Sequence, residues 1–201
     1  MLVLAGAGHA SAAHSVFCKE NVAVCPGAGQ YPAESNAAGS ISNEVAGTFA
    51  EVEIPGLATL SCSAAKVTGY AVVNKEGPMT GKGYFSSSVC SPEGCSFHSV
   101  GEHLWEWEST GGGDGTVTMS NPVLRVICTK SPAFTCDYGA AAANAEFEGG
   151  PGGEAFIADE GTALEMVNAG SIVCNFYVNA ILRFRYFVVS PSLIDPVYLT
   201  N

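Results

Sequence analysis

The sequence predicts an all-β protein, an antiparallel two-sheet β-sandwich stapled by disulfides, with a closed β-barrel as the alternative. Three observations carry that prediction. Apolar and polar side chains alternate with a period of two along most of the chain, as strands with one buried face require and as a helix of period 3.6 does not. Charged residues make up only 13% while apolar residues reach 47% and glycines number 24, a balance that suits strands and turns rather than a disordered chain. Eight cysteines, an even number, supply the staples.

Taken in chain order, residues 1–13 read as the remnant of a secretory signal peptide. Leu2 to Ala13 is small and apolar, and Ala10 and Ala12 fit a signal-peptidase site that would start the mature chain near His14. No Lys or Arg precedes Lys19, so the positive segment of a complete leader is missing. Residues 14–201 then form a single β-sandwich domain, long enough for one sizeable core. Strands are expected at Glu44–Ile54, Leu57–Ser63, Val67–Asn74, Thr80–Ser86, His103–Ser109, Gly115–Ser120, Val123–Thr129, Ala133–Tyr138, Ala143–Glu148, Glu154–Ala158 and Ala163–Asn168. Turn signals separate them at Ile54-Pro55-Gly56, Glu76-Gly77-Pro78, Gly111 to Gly115, Asn121-Pro122 and Gly149 to Gly153. Asp114-Gly115 is the best hairpin signal among them. The Ala-rich run Ala140 to Ala145 is the one place where a helical turn fits. The clearest alternation closes the series: Cys174, Phe176, Val178, Ala180, Leu182, Phe184, Tyr186 and Val188 are apolar, and Asn175, Asn179, Arg183 and Arg185 fall between them. A strand from Cys174 to Val189 exceeds the usual length, so a bulge or bend is expected in it.

The cysteine spacing suggests three local bridges, Cys18–Cys25, Cys90–Cys95 and Cys128–Cys136. Pro92 and Gly94 bend the second loop, and Ser131-Pro132 lies within the third. Cys62 and Cys174 are left as a long inter-sheet bridge, and Cys128–Cys174 competes with it because Cys128 shares its parity with Leu124 and Val126. In a loop-entropy treatment the long bridge contributes ~4–5 kcal/mol and each short one ~2–3.

A formal charge of −11 with only 8 basic residues speaks against nucleic acid and anionic membrane as partners. Ala180 to Val189 is interrupted by Arg183 and Arg185 and falls short of the ~20 residues of a spanning helix, so no membrane span is expected. No nucleophile elbow, metalloprotease helix or phosphate loop occurs, and neither a catalytic residue nor a cofactor is assigned. Cys90, Cys95, His98 and His103 form C-x4-C-x2-H-x4-H, which invites zinc, but two residues between the second Cys and the first His leave little chain to wrap an ion. No metal is therefore expected. Glu102 to Glu108 is the most distinctive segment. As a strand it sets His103, Trp105 and Trp107 on one face and Glu102, Leu104, Glu106 and Glu108 on the other. Buried, the indoles fill a core; exposed, Trp105 and Trp107 would stack on a sugar, with Glu106 and Glu108 as a carboxylate pair.

The junction Ala12-Ala13-His14-Ser15 with Cys18 and Cys25, the Thr110 to Thr116 glycine hairpin, Asn121-Pro122 before Cys128 and Cys136, and Ser190-Pro191 with Pro196-Val197-Tyr198 together span most of the chain. In these pieces the chain resembles uncharacterised secreted β-proteins of high-GC actinobacteria. That resemblance implies an exported all-β fold and no activity. The expectation is a secreted, non-catalytic binding or structural protein at the cell exterior, acting on an unknown extracellular ligand or protein. A carbohydrate-binding or carbohydrate-active module on Trp105, Trp107, Glu106 and Glu108 is the alternative.

Overall fold

The computed structural model describes residues 15–28, 30–31, 38–41, 48–72, 78–150, 155–189 and 196–200. The leader expected over residues 1–13 and the start of the strand expected at Glu44–Ile54 lie outside the described residues. The described residues form fourteen strands: β1 (Val16–Cys18), β2 (Ala38–Ile41), β3 (Phe49–Ile54), β4 (Ala58–Val72), β5 (Met79–Ser91), β6 (Cys95–Ser99), β7 (His103–Gly111), β8 (Asp114–Ser120), β9 (Val123–Cys128), β10 (Phe134–Gly139), β11 (Ala142–Glu148), β12 (Phe156–Ala169), β13 (Asn179–Val189) and β14 (Tyr198–Thr200). The Ala-rich run holds no helical turn: Ala140 and Ala141 lie between strands and Ala142 to Ala145 open strand β11. Ile172–Phe176 forms a short 3-10 turn, so the strand expected from Cys174 begins only at Asn179.

Twelve of these strands close into one antiparallel meander barrel of eight staves. Four staves are single long strands, β4, β5, β12 and β13. The other four are broken strands that continue in line: β2 with β3, β6 with β7, β8 with β9, and β10 with β11. β5 holds β4 on one edge and β7 then β6 on the other. β13 closes the ring by pairing with β3 (Leu182↔Val52) and β2 (Phe187↔Ser40). The expected sandwich is corrected to the barrel alternative. Closure pairs the edges a sandwich would leave open, and strands β4 and β12, each expected as two short strands, run the full height of the wall.

Alternation decides what faces inward. In β8 Gly115, Val117 and Met119 are buried while Thr116 is exposed and Thr118 half-buried, and in β11 Ala143, Ala145 and Phe147 are buried between Ala142, Asn144, Glu146 and Glu148. Rings crowd the interior: Phe85 lies 5.5 Å from Trp105 and from Phe184, and Phe184 lies 5.0 Å from Tyr186. Arg183 and Arg185, expected on the wet face, are there; Arg183 bridges Glu51 and Glu53, and Arg185 meets Glu148.

The two ends are finished differently. Three disulfides gather at the end formed by the β3–β4, β5–β6, β9–β10 and β12–β13 connections: Cys62–Cys90, Cys95–Cys128 and Cys136–Cys174. Only Cys18–Cys25 matches the spacing-based pairing. Cys90–Cys95, Cys128–Cys136 and Cys62–Cys174 are corrected, and so is the competing Cys128–Cys174. Cys90 and Cys95 flank one reversal, yet each sits directly opposite a different neighbour in the ladder, Cys62 on β4 and Cys128 on β9. Cys136 instead reaches out of β10 to the 3-10 turn, where Cys174 is fully buried.

At the opposite end β1 pairs with β14 and caps the barrel. Phe17 presents its ring to Trp107 at 6.1 Å and to Phe147 at 5.8 Å. Glycines make this docking possible. A Cβ on Gly115 would lie 2.3 Å from a Leu199 methyl, and one on Gly149 would lie 2.3 Å from the Gly113 carbonyl oxygen.

Candidate functional site

The breaks in three of the four composite staves lie side by side and form a seam across the wall. Residues 100–102, 121–122 and 140–141 interrupt β6/β7, β8/β9 and β10/β11. Backbone hydrogen bonds knit them together: Val100 N to Val123 O at 2.8 Å, Asn121 N to Ala141 O at 2.9 Å, and Ala140 N to Pro122 O at 3.1 Å. Asn121, at φ 47°, takes the left-handed conformation that asparagine tolerates best among non-glycine residues. Asn121-Pro122, expected as a reversal, is therefore a kink within one stave.

The seam runs into β12. Glu146↔Ala158 pairs β11 with β12, and Gly139↔Glu165 pairs β10 with β12, in the same register. Between them the ladder is open over Asp159 to Leu164. A bulge between Asp159 and Thr162 on the edge facing β13 lies within this stretch, across from the break at residues 140–141. Asp159 caps the bulge, accepting hydrogen bonds from Gly161 N at 2.8 Å and the Thr162 hydroxyl at 2.6 Å. Burial pushes its carboxyl pKa up against those bonds. Two grooves follow the opening on the outer wall. One, of about 480 Å³, is lined by Asn144, Glu146, Asp159, Glu160 and Thr162. The other, of about 610 Å³, is lined by Val123, Gly139, Ala141, Met166 and Val167 among others.

Inside the wall, His103, Trp105 and Trp107 share one face of β7 at 5%, 3% and 4% exposure. The two indoles stack at 5.8 Å. Trp105 lies opposite Gly81 and His103 opposite Gly83 on β5, where the missing side chains leave room for the rings. His103 is hydrogen-bonded to the Val123 backbone at the seam. Among the described residues its Nε2 and the Nε1 of both tryptophans have no hydrogen-bond partner, so Nδ1 is the engaged nitrogen. Desolvation lowers the His103 pKa despite that bond, which leaves the imidazole neutral at physiological pH.

The residues singled out in the sequence do not converge. Trp105 and Trp107 point inward while Glu106 is half-buried and Glu108 exposed on the opposite face of the same strand. The outward stacking platform, and with it the pairing of indoles and carboxylates at one site, is corrected to an interior stack. His98 stands opposite Arg125 on the outer wall, near the Arg125–Asp137 pair, while His103 faces the core. Cys90 and Cys95 belong to different disulfides, and no cysteine is free. Among the described residues no group of three His, Cys, Asp or Glu side chains is placed to hold a metal ion. Asp137 accepts two bonds from Arg125, at 2.7 and 2.8 Å, and these hold its pKa below the usual carboxylate range against desolvation. No helix among the described residues is long and apolar enough to cross a membrane.

Two features went unread in the sequence. The seam is signalled only by Gly101, Asn121-Pro122 and Ala140, none distinctive alone. The second feature is an apolar projection: Ile172 and Phe176 are 79% and 77% exposed on the 3-10 turn, with Val178 and Val167 beside them. Its signal is the absence of any charged residue from Met166 to Leu182. No family model, curated protein or solved structure matches this chain.

Proposed function

We propose that this chain is an exported, non-catalytic barrel that works through its outer wall at the cell exterior, as a binding or structural protein. The observation that carries the reading is the complete pairing of eight cysteines. Four disulfides belong to an oxidising compartment, and they leave no thiol for nucleophilic or metal chemistry. An interior crowded with aromatic side chains supports the same reading, because the most distinctive residues are used to fill the barrel. The leader-like residues 1–13 and the resemblance to secreted actinobacterial proteins agree with it.

Expression of residues 14–201 behind a complete signal peptide of a secreting bacterial host, followed by intact mass with and without reductant, tests the proposal. The expected product is exported, folded and eight hydrogens heavier after reduction. Exported product with free thiols would overturn the proposal.

A further inference from the structure

We infer that the apolar projection on the β12–β13 connection and the groove beside it form one self-complementary face that docks a second copy of this chain. Four of the ten large apolar side chains exposed among the described residues fall between Val167 and Val178. They sit on a built support rather than a loose loop. Cys174, fully buried, ties the turn to Cys136, the Ser171 hydroxyl accepts a bond from Thr135 N at 2.9 Å, and Tyr138 donates to the Tyr177 carbonyl at 2.8 Å. Ordering costs for Ile172 and Phe176 on binding are therefore low.

The groove continues from this projection. Met166 N bonds Val178 O at 2.8 Å, so the β12 edge of the groove and the root of the projection are adjacent. Gly139 forms the floor: a Cβ there would lie 3.2 Å from a methyl of Val123 on one side and of Val167 on the other. A knob and a hollow side by side on one face fit a two-fold arrangement, in which each copy's knob enters the other's hollow.

Charge and area favour this occupant. The molecule carries −11, so two copies repel except where both are neutral, and the face has Glu165 as its one charged lining residue. With no basic side chain from Met166 to Leu182, it offers nothing to anionic lipid headgroups. The exposed apolar side chains and groove rim amount to roughly 500 Å² per copy, and the pair reaches about the 1,000 Å² at which specific interfaces begin.

The inference rests on the reading of a protein that acts through its outer wall, but its test is separate from export. Sedimentation equilibrium of the oxidised protein, from ~1 to ~500 μM, should show the mass rising from that of one chain to twice that value. Added salt should strengthen association by screening like charge. Phe176→Asp on the knob and Ala141→Glu on the groove rim should each weaken it at least ten-fold, with all four disulfides and the melting temperature retained. Mixing the two variants should restore part of the association, because one knob–hollow contact is intact in the mixed pair. A wild-type chain that stays monomeric throughout overturns the inference. So does loss on Phe176→Asp without loss on Ala141→Glu, or failure of the mixture to recover. Phe176-dependent binding of the monomer to neutral phosphatidylcholine vesicles would assign the projection to a lipid surface instead.

Discussion

Replacing Cys136 and Cys174 together by alanine tests how the disulfides hold the barrel. Both residues are fully buried, so alanine rather than serine avoids an unpaired hydroxyl in the core. The bridge spans 38 residues, which include β11 and β12. In the chain-entropy treatment a loop of that length contributes about 4 kcal/mol, whereas the bridge of separation 7 between Cys18 and Cys25 contributes about 2.4. The two intermediate bridges, of separation 28 and 33, fall near 3.6 kcal/mol. Because the four loops follow one another without nesting, their contributions add to about 13.5 kcal/mol, comparable with the whole stability of a domain. Urea unfolding followed by tryptophan emission should show the Cys136→Ala/Cys174→Ala variant destabilised by about 4 kcal/mol, roughly 1.5 more than the Cys18→Ala/Cys25→Ala variant. Fully reduced protein should be unfolded at room temperature. A loss below about 1 kcal/mol for the Cys136–Cys174 pair, or a larger loss for Cys18–Cys25, would refute the loop argument.

Other perturbations test the interior and the cap. Trp105 and Trp107 should emit as buried indoles and resist iodide quenching, and Trp105→Ala should cost about 3–5 kcal/mol in urea unfolding. Because burial lowers the His103 pKa, the unfolded chain takes up a proton before the folded one does. Stability should fall as pH drops below about 6.5, by up to ~1.4 kcal/mol per pH unit, and the slope should shrink in His103→Leu. Asp159 has the opposite sign for its ionised form, which burial disfavours. Asp159→Asn should raise the melting temperature at pH 7, and the gain should vanish below the unfolded value of 3.8. Gly115→Ala should cost about 1–3 kcal/mol and speed hydrogen exchange at the Leu199 amide, which donates to Gly113 O at 2.8 Å.

The alternation of apolar residues made most of the wall legible in the sequence. Val117 and Met119, or Leu182, Phe184 and Tyr186, face the core as their parity requires. Closure was not legible, because β13 pairs with β2 and β3 more than a hundred residues earlier and no local pattern encodes that partner. The cysteine pairing failed for a related reason. Spacing favours a thiol across the same turn, while the ladder sets Cys90 opposite Cys62 and Cys95 opposite Cys128. Parity also overreached at Phe176, where the Cys136–Cys174 bridge holds a turn that interrupts the alternation and turns the ring outward. At Trp105 and Trp107 the sequence left two orientations open; inside the barrel Trp105 lies opposite Gly81, while Trp107 lies opposite Met79 and meets the ring of Phe17.

Non-reducing peptide mapping tests the stapled meander barrel most directly, since each bridge reports which elements are neighbours. The barrel register requires cross-linked peptides joining Cys62 to Cys90, Cys95 to Cys128 and Cys136 to Cys174. Recovery of Cys90 with Cys95, or of Cys128 with Cys136, would contradict it.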